Sequence, residues 1–291
     1  MDGVFNLYKP AGFTSNDVVA MMRKILNMKK VGHGGTLDPD ATGVLPVFTG
    51  TATRLLEFAV EGKKEYVAEF LLGIKTDTGD VSGKTVATKE VPEFSQADLE
   101  QVLQKFLGMQ KQVPPMYSAI KIGGEKLYQL ARKGEEVERA ARDIEIYALE
   151  ILGFNLPEIR IRVECSKGTY IRTLGEDIAV ALGTVGTMKK LVRTKVGGFE
   201  LADSHTLEEI RENPSAYVME PLAVIDLPRL VLTANQAWRI TSGVPTTVRG
   251  TENGRCLALS PENELLAVVN INEEIVKAEK VLKKYANPNR N

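Results

Sequence analysis

Cysteine and histidine are both scarce, with two of each in 291 residues. Cys165 and Cys256 stand far apart, outside any CxxC or Cys/His ligand spacing, which argues against a disulfide framework and a thiolate metal site. Each falls in a strand-like run, so both are expected to be reduced core thiols, as in a cytoplasmic protein. No apolar run approaches the ~18 residues that a membrane helix needs. The opening MDGVFNLYKPAG has too short an apolar stretch, preceded by Asp2, to read as a signal peptide. Net charge is also small, −1, so the total charge points to no polyanionic partner. Internal repeats and low-complexity tracts are lacking. What is present is 43% hydrophobic and 26% charged residues, enough for a buried core in one large domain or two unequal ones.

Periodicity places the elements. GVFNLYKP reads as a strand stopped by Pro10. Thr14-Ser-Asn-Asp17 is a capping box opening an amphipathic helix. TATRLLEFAV reads as helical and EYVAEFLLGI as a long strand. SQADLEQVLQKFLG is a second capped helix, with Ser95 as N-cap. DIEIYALEILGF and EIRIRVECS form a hairpin around Asn155–Pro157, and TYIRTLGEDIAVALG is a helix ended by Gly183. Residues 112–142 combine two prolines, a Gly-Gly break and both charge signs, and read as a strand–turn–helix projection. From about residue 225 the character changes: Leu227-Pro228 marks a linker, followed by a small β-rich segment. The lysine-rich end, VKAEKVLKKYANPNRN, is expected to fray.

Three stretches carry potential chemistry. GHGGTLDPDATGVLPV, residues 32–47, holds His33, Asp38 and Asp40 among closely spaced glycines. It can be an Asp-Pro turn with Asp40 capping a following helix, or the seat of one working carboxylate. A metal site lacks ligands there, and two aspartates would repel a phosphate. CSKGTYIRTLGEDI carries Arg172, either a surface cation or the buried partner of a carboxylate. Tyr66, in KKEYVAEF, is either a core aromatic or a stacking platform. Residues 160–195 carry eight Lys/Arg against three acids, a solvated basic face or the footprint of a nucleic acid.

Taken together and in order, these stretches resemble the bacterial tRNA pseudouridine-55 synthase family, of the TruB type. The likeness runs through NLYKPAGFTSNDVV, GHGGTLDPDATGVLPV, KKEYVAEFLLGIKTDTGDVSG, QVPPMYSAIKIGGEKLYQLARKG, CSKGTYIRTL and LVRTKVGGF, covering residues 3–200.

The resemblance implies an α+β fold, a mixed and largely antiparallel sheet flanked by helices. A catalytic domain would span residues 1–226, with a thumb-like insertion at about 112–142 that folds over RNA. A small PUA-like β-rich domain would span 227–291. It implies isomerisation of uridine 55 in the T-loop at the elbow of tRNA, by base flipping, with no metal and no cofactor, in a cytoplasmic monomer. Asp38 matches the family's essential aspartate; Asp40 matches nothing required. Arg172 would pair with Asp38 and depress its pKa. Tyr66 would stack on the base and take part in proton transfer. Tyr170 and Leu191 would line the uridine pocket, and His33 would fill the stack vacated by the flipped base. Lys9 would support the pocket or contact a phosphate, and the basic stretch 160–195 would contact phosphates. The rival reading is a non-catalytic tRNA-binding or folding chaperone on the same scaffold.

Overall fold

A computed structural model describes residues 2–288 of the chain. The sequence enters on β1 (Gly3–Lys9), buried at every position but one, so both faces of this strand are covered. The Thr14 hydroxyl then accepts the Asp17 N–H while the Asp17 carboxylate accepts the Thr14 N–H, and this box opens helix α1 (Ser15–Ile25). α1 buries Ser15, Val18, Val19 and Met22, one stripe at helical spacing, against Phe5, Leu7, Leu45 and Val47. Ser15 Oγ accepts the Leu37 N–H at 2.9 Å, so the start of α1 pins the residue just before Asp38.

The main sheet has nine strands. After β1 come β2 (Val31–His33), β3 (Thr42–Thr49), β4 (Lys64–Leu72), β5 (Gly108–Gln112), β6 (Arg142–Asn155), β7 (Glu158–Cys165), β8 (Gly186–Val196) and β9 (Phe199–Glu200). Their order is β1-β3-β8-β4-β7-β6-β5, with β2 beside β3 and β9 beside β8. Only β3 and β8 run parallel, paired at Thr42–Val192 and Gly43–Arg193; the other contacts are antiparallel. The mixed, largely antiparallel sheet expected from the sequence is therefore present. β4 alternates as a half-buried strand does, turning Tyr66, Ala68, Phe70 and Leu72 inward.

Two helices cover that inner face. α2 (Gln96–Gln104), boxed by Ser95 and Asp98, inserts Leu99, Val102 and Leu103; α3 (Ile171–Ala181) inserts Ile171, Leu174 and Ile178. α3 lies very close to β4, because a Cβ on Gly175 would fall 1.9 Å from the Phe70 ring. Glycine at 175 lets the helix press on the strand, and that depth sets the reach of Arg172, one turn earlier.

Residues 229–281 form a separate five-stranded sheet in the order β10-β12-β13-β14-β11: β10 (Arg229–Val231), β11 (Thr246–Thr247), β12 (Gly254–Leu259), β13 (Leu265–Asn272) and β14 (Ile275–Val281). Leu257 and Val268 of this sheet share an apolar cluster with Val4, Phe48, Leu55 and Phe58 of the first.

Several sequence expectations need correction. Asp40 caps no helix: it sits in a turn that leads straight into β3. TATRLLEFAV is helical but broken, a 3-10 stretch at Gly50–Leu55 and one α-turn at Leu56–Ala59. The lysine-rich end begins as β14, paired to β13, rather than fraying; residues 289–291 lie outside the described residues. The 112–142 segment is the strand–turn–helix expected, a tiny hairpin of Lys121–Ile122 with Glu125–Lys126 followed by helix Leu127–Arg132. Among the described residues no helix is long and apolar enough to cross a membrane.

Candidate active site

The loop between β2 and β3 carries Asp38, the end of β7 leads into Arg172 on α3, and β4 carries Tyr66. The fold brings these three to one cavity of about 240 Å³, lined also by Leu191 of β8, Tyr170, Lys64, Tyr117 and the Ser118–Ala119 stretch.

Arg172 is the joint. Its Nε donates to Asp38 Oδ2 at 3.0 Å and its Nη2 to Asp38 Oδ1 at 3.2 Å, a bidentate pair. Nη1 donates to the Thr78 carbonyl and Nη2 also to the Tyr117 carbonyl, each at 2.7 Å. One guanidinium thus ties the Asp38 loop, the 75–85 loop and the 112–142 segment together. The Arg172 side chain is almost wholly buried, whereas a third of Asp38 (34%) stays open to the cavity.

Burial raises the Asp38 carboxyl above the ordinary carboxylate value; Arg172 pulls it back down, and Asp80 pushes it up again. Arg172 thus depresses it as expected, though not below the ordinary value. The guanidinium offsets part of the desolvation and fixes the rotamer, but loss of water is the larger effect.

Tyr66 is buried at the cavity wall, and burial raises its phenol while Arg193 opposes that shift. Tyr170 is gripped through its backbone: its N–H donates to Gln112 Oε1 and its carbonyl accepts from Gln112 Nε2. Leu191 supplies apolar wall. His33 and Lys9 do not line the cavity. His33 pairs with Val47, and its Nδ1 is buried without a hydrogen-bond partner; burial, then Arg193, lowers its pKa and favours the neutral ring. Lys9 is fully buried, and its Nζ donates to the carbonyls of Pro10, Pro39 and Ala41, all three donors spent. That geometry corrects the phosphate-contact expectation: Lys9 ties down the turn that follows Asp38. Burial, the largest influence, lowers its pKa to about 8.

Asp38 and Asp40 separate cleanly. Asp40 is exposed at the turn, while Asp38 faces Arg172. Among the described residues no three His, Cys, Asp or Glu side chains gather as a metal would require. The cations of the basic stretch 160–195 are mostly paired within the protein. Arg160, Arg162, Lys167, Arg172, Lys189 and Lys195 each pair with a carboxylate, and Arg193 is fully buried.

Sequence reasoning missed Lys64, Tyr117, Gln112 and Arg193. Two of these carried a signal: Lys64 stands two residues from Tyr66, and Arg193 two from Leu191, so strand alternation puts each on its neighbour's face.

Comparison with known proteins identifies the family. Residues 23–171 match the model of the TruB family pseudouridylate synthase N-terminal domain, and residues 172–232 match the tRNA pseudouridylate synthase B C-terminal domain. The chain is 45% identical over 252 residues to a tRNA pseudouridine synthase B of Symbiobacterium thermophilum, covering 86% of this chain and 84% of that one. To the protein of the same name from Heliobacterium modesticaldum it is 44% identical over 275 residues, 92% and 90% of the two chains. A chain of a solved Cbf5-Nop10-Gar1 complex superposes with a TM-score of 0.76 at 28% identity, over 97% of this chain and 85% of that one. The chain belongs to the TruB family of pseudouridylate synthases and is therefore an isomerase.

Proposed function

We propose that the enzyme converts uridine 55 in the T-loop of tRNA to pseudouridine, acting alone, with Asp38 as the essential carboxylate. The relatives named tRNA pseudouridine synthase B support tRNA as substrate. The observation that carries the site assignment is the bidentate Asp38–Arg172 pair at a cavity walled by Tyr66 and Leu191.

The reaction breaks the N1–C1′ bond, turns the uracil and joins C5 to C1′. A base inside a structured loop has to be flipped out, at a cost of a few kcal/mol offset by pocket contacts. A cavity with one oriented, ionisable carboxylate and walls of mixed apolar and polar character holds the ribose against Asp38 and keeps the detached uracil in place. Asp38 attacks the ribose or the base, or removes the C2′ proton; each route needs it ionised and fixed. Tyr66 lies against the uracil and takes part in moving the C5 proton. Tyr170 and Leu191 bound the pocket, Lys9 supports it, and His33 fills the vacated stack. The 112–142 segment closes over the T-arm like a thumb. Residues 227–291 form a PUA-like unit against the acceptor stem, beside a catalytic domain of residues 1–226. The enzyme works as a monomer in the cytoplasm, without cofactor.

Purified protein is expected to release tritium from tRNA transcripts labelled at uridine C5, and from an isolated T-arm stem-loop. A folded protein that releases none from either would overturn the reading. Release persisting after uridine 55 is replaced by cytidine would overturn the assigned position.

A further inference from the structure

Arg193 is a buried cation without a carboxylate. It is fully buried on β8, and among the described residues it makes no ion pair. Its Nε donates to the Val44 carbonyl at 2.8 Å and its Nη2 to the Gly35 carbonyl at 3.1 Å. Nη1 is buried with no well-formed partner. Taking such a charge out of water costs several kcal/mol, and an apolar side chain would fill the same space more cheaply. Its retention calls for another group that uses the charge.

That group is Tyr66. Arg193 and Tyr66 are register partners on adjacent antiparallel strands, so their side chains leave the same face of the sheet. The register pairing sets the guanidinium beside the phenol, close enough for each to shift the other's titration. Arginine has five N–H donors and no acceptor, so the phenol oxygen can only accept from it, and the hydroxyl hydrogen turns elsewhere. The Gly35 carbonyl, three residues before Asp38, is held by the same cation. One side chain therefore holds the start of the Asp38 loop while standing beside Tyr66, with Nη1 left to reach the phenol oxygen.

We infer that Arg193 is a positioning residue for the isomerisation, holding the Tyr66 oxygen and supporting its anionic form as it takes the C5 proton. The inference rests on the proposed function, in which Tyr66 lies against the uracil. Once C5 is bonded to C1′ it still carries its hydrogen. The Tyr66 phenolate takes that proton, and the C5–H electron pair becomes the C5–C6 double bond. The C6–N1 π pair returns to N1, which takes a proton from water, and Tyr66 resets by losing its proton to solvent. Arg193 opposes the burial that otherwise raises the phenol pKa.

The test uses the full chain as Arg193→Lys, Arg193→Met, Tyr66→Phe and the double variant Tyr66→Phe/Arg193→Lys. The ¹³Cζ shift of Tyr66, assigned by its loss in Tyr66→Phe, is followed against pH without RNA. The phenol is expected to titrate at higher pH in Arg193→Met than in the parent, with Arg193→Lys between. Single-turnover rates are expected to fall about tenfold or more in Arg193→Met, with tRNA affinity held and partial rescue in Arg193→Lys. Arg193→Lys should cost clearly less on the Tyr66→Phe background than in the parent, keeping only the share that comes from the Gly35 carbonyl. An unmoved phenol titration, or losses that multiply in the double variant, would overturn the inference. If Arg193→Met does not fold, the Lys variant gives the same decision. A parent enzyme that releases no tritium would sink the proposed function while leaving the titration to judge the Arg193–Tyr66 pairing.

Discussion

Asp38 carries two opposed influences, and their balance fixes the acid limb of activity. Burial raises its carboxyl above the ordinary value near 3.8, and Arg172 only partly reverses this. The working form is the carboxylate, so kcat/KM should fall as pH drops through an apparent pKa above that of a free aspartate. Arg172→Met removes the opposing cation and should move the limb to still higher pH, besides lowering the rate; a pH–rate profile of the two proteins decides it. A limb at or below the free-aspartate value in the parent would contradict the burial argument. Asp38→Asn should lose roughly three orders of magnitude or more in turnover with tRNA affinity held. Asp40→Asn, at an exposed turn, should lose little. Equal losses at both positions in a tritium-release assay would reject the assignment. The LDP triplet carried Asp38 at the level of sequence, because its neighbours fit a family motif. Lys64 and Arg193 were legible only as positions on a face. Alternation says which way a strand residue points, but not that a cation is buried there without a carboxylate.

At the level of elements, the site depends on the one parallel contact in the main sheet. β3 and β8 meet at Gly43 and Arg193, far apart in sequence, and a Cβ on Gly43 would fall 2.2 Å from the Arg193 carbonyl oxygen at φ +105°. Both the close approach and the left-handed backbone require glycine there. Gly43→Ala should therefore destabilise by well over the ~1 kcal/mol typical of a simple glycine replacement, because it also pushes apart the strands that carry Arg193. Gly108→Ala is the control: its φ is also positive, +79°, but nothing lies within 4 Å of the added Cβ. Denaturant midpoints measured side by side should rank Gly43→Ala far below Gly108→Ala, and similar midpoints would refute the crowding argument. This contact was not legible in advance, since pairing partners 150 residues apart leave no local pattern. The local elements were. Thr14/Asp17 and the N-cap Ser95 announced their helices by capping chemistry, and β6–β7 by alternation around a turn. β14 escaped because Val276 is its one fully buried position, so lysines and glutamates blur the period of two. The turn after Asp38 was misread for a related reason: Asp-Pro-Asp-Ala is compatible with a helix start, and tertiary pairing to β1 and β8 selects a strand instead.

For the whole molecule, the near-zero net charge comes from 37 cationic against 38 acidic residues. The 160–195 cations largely meet glutamates on nearby strands, so RNA bound there, as in the proposed function, would exchange partners with existing pairs rather than land on bare charge. Such exposed pairs are each worth ~0–1 kcal/mol, so the exchange costs little. The joint between the two sheets is of a different kind. Leu257 and Val268 are fully buried in a cluster with Val4, Phe48, Leu55 and Phe58, while Lys280–Glu57 and Arg255–Glu61 ring it. An apolar joint rimmed by ion pairs resembles a core more than a hinge, and it couples the folding of the two sheets. Leu257→Ala opens a cavity on the shared side and should cost ~2–5 kcal/mol. The loss should appear as a downward shift of one cooperative transition, reported alike by calorimetry and by the fluorescence of Trp238, which sits in the C-terminal segment. Glu57→Gln, at the exposed rim, should shift that transition by less than ~1 kcal/mol. Two separated transitions in Leu257→Ala, with the tryptophan signal lost in the earlier one, would mean that the C-terminal sheet unfolds independently and that the shared cluster does not bind it into one cooperative unit.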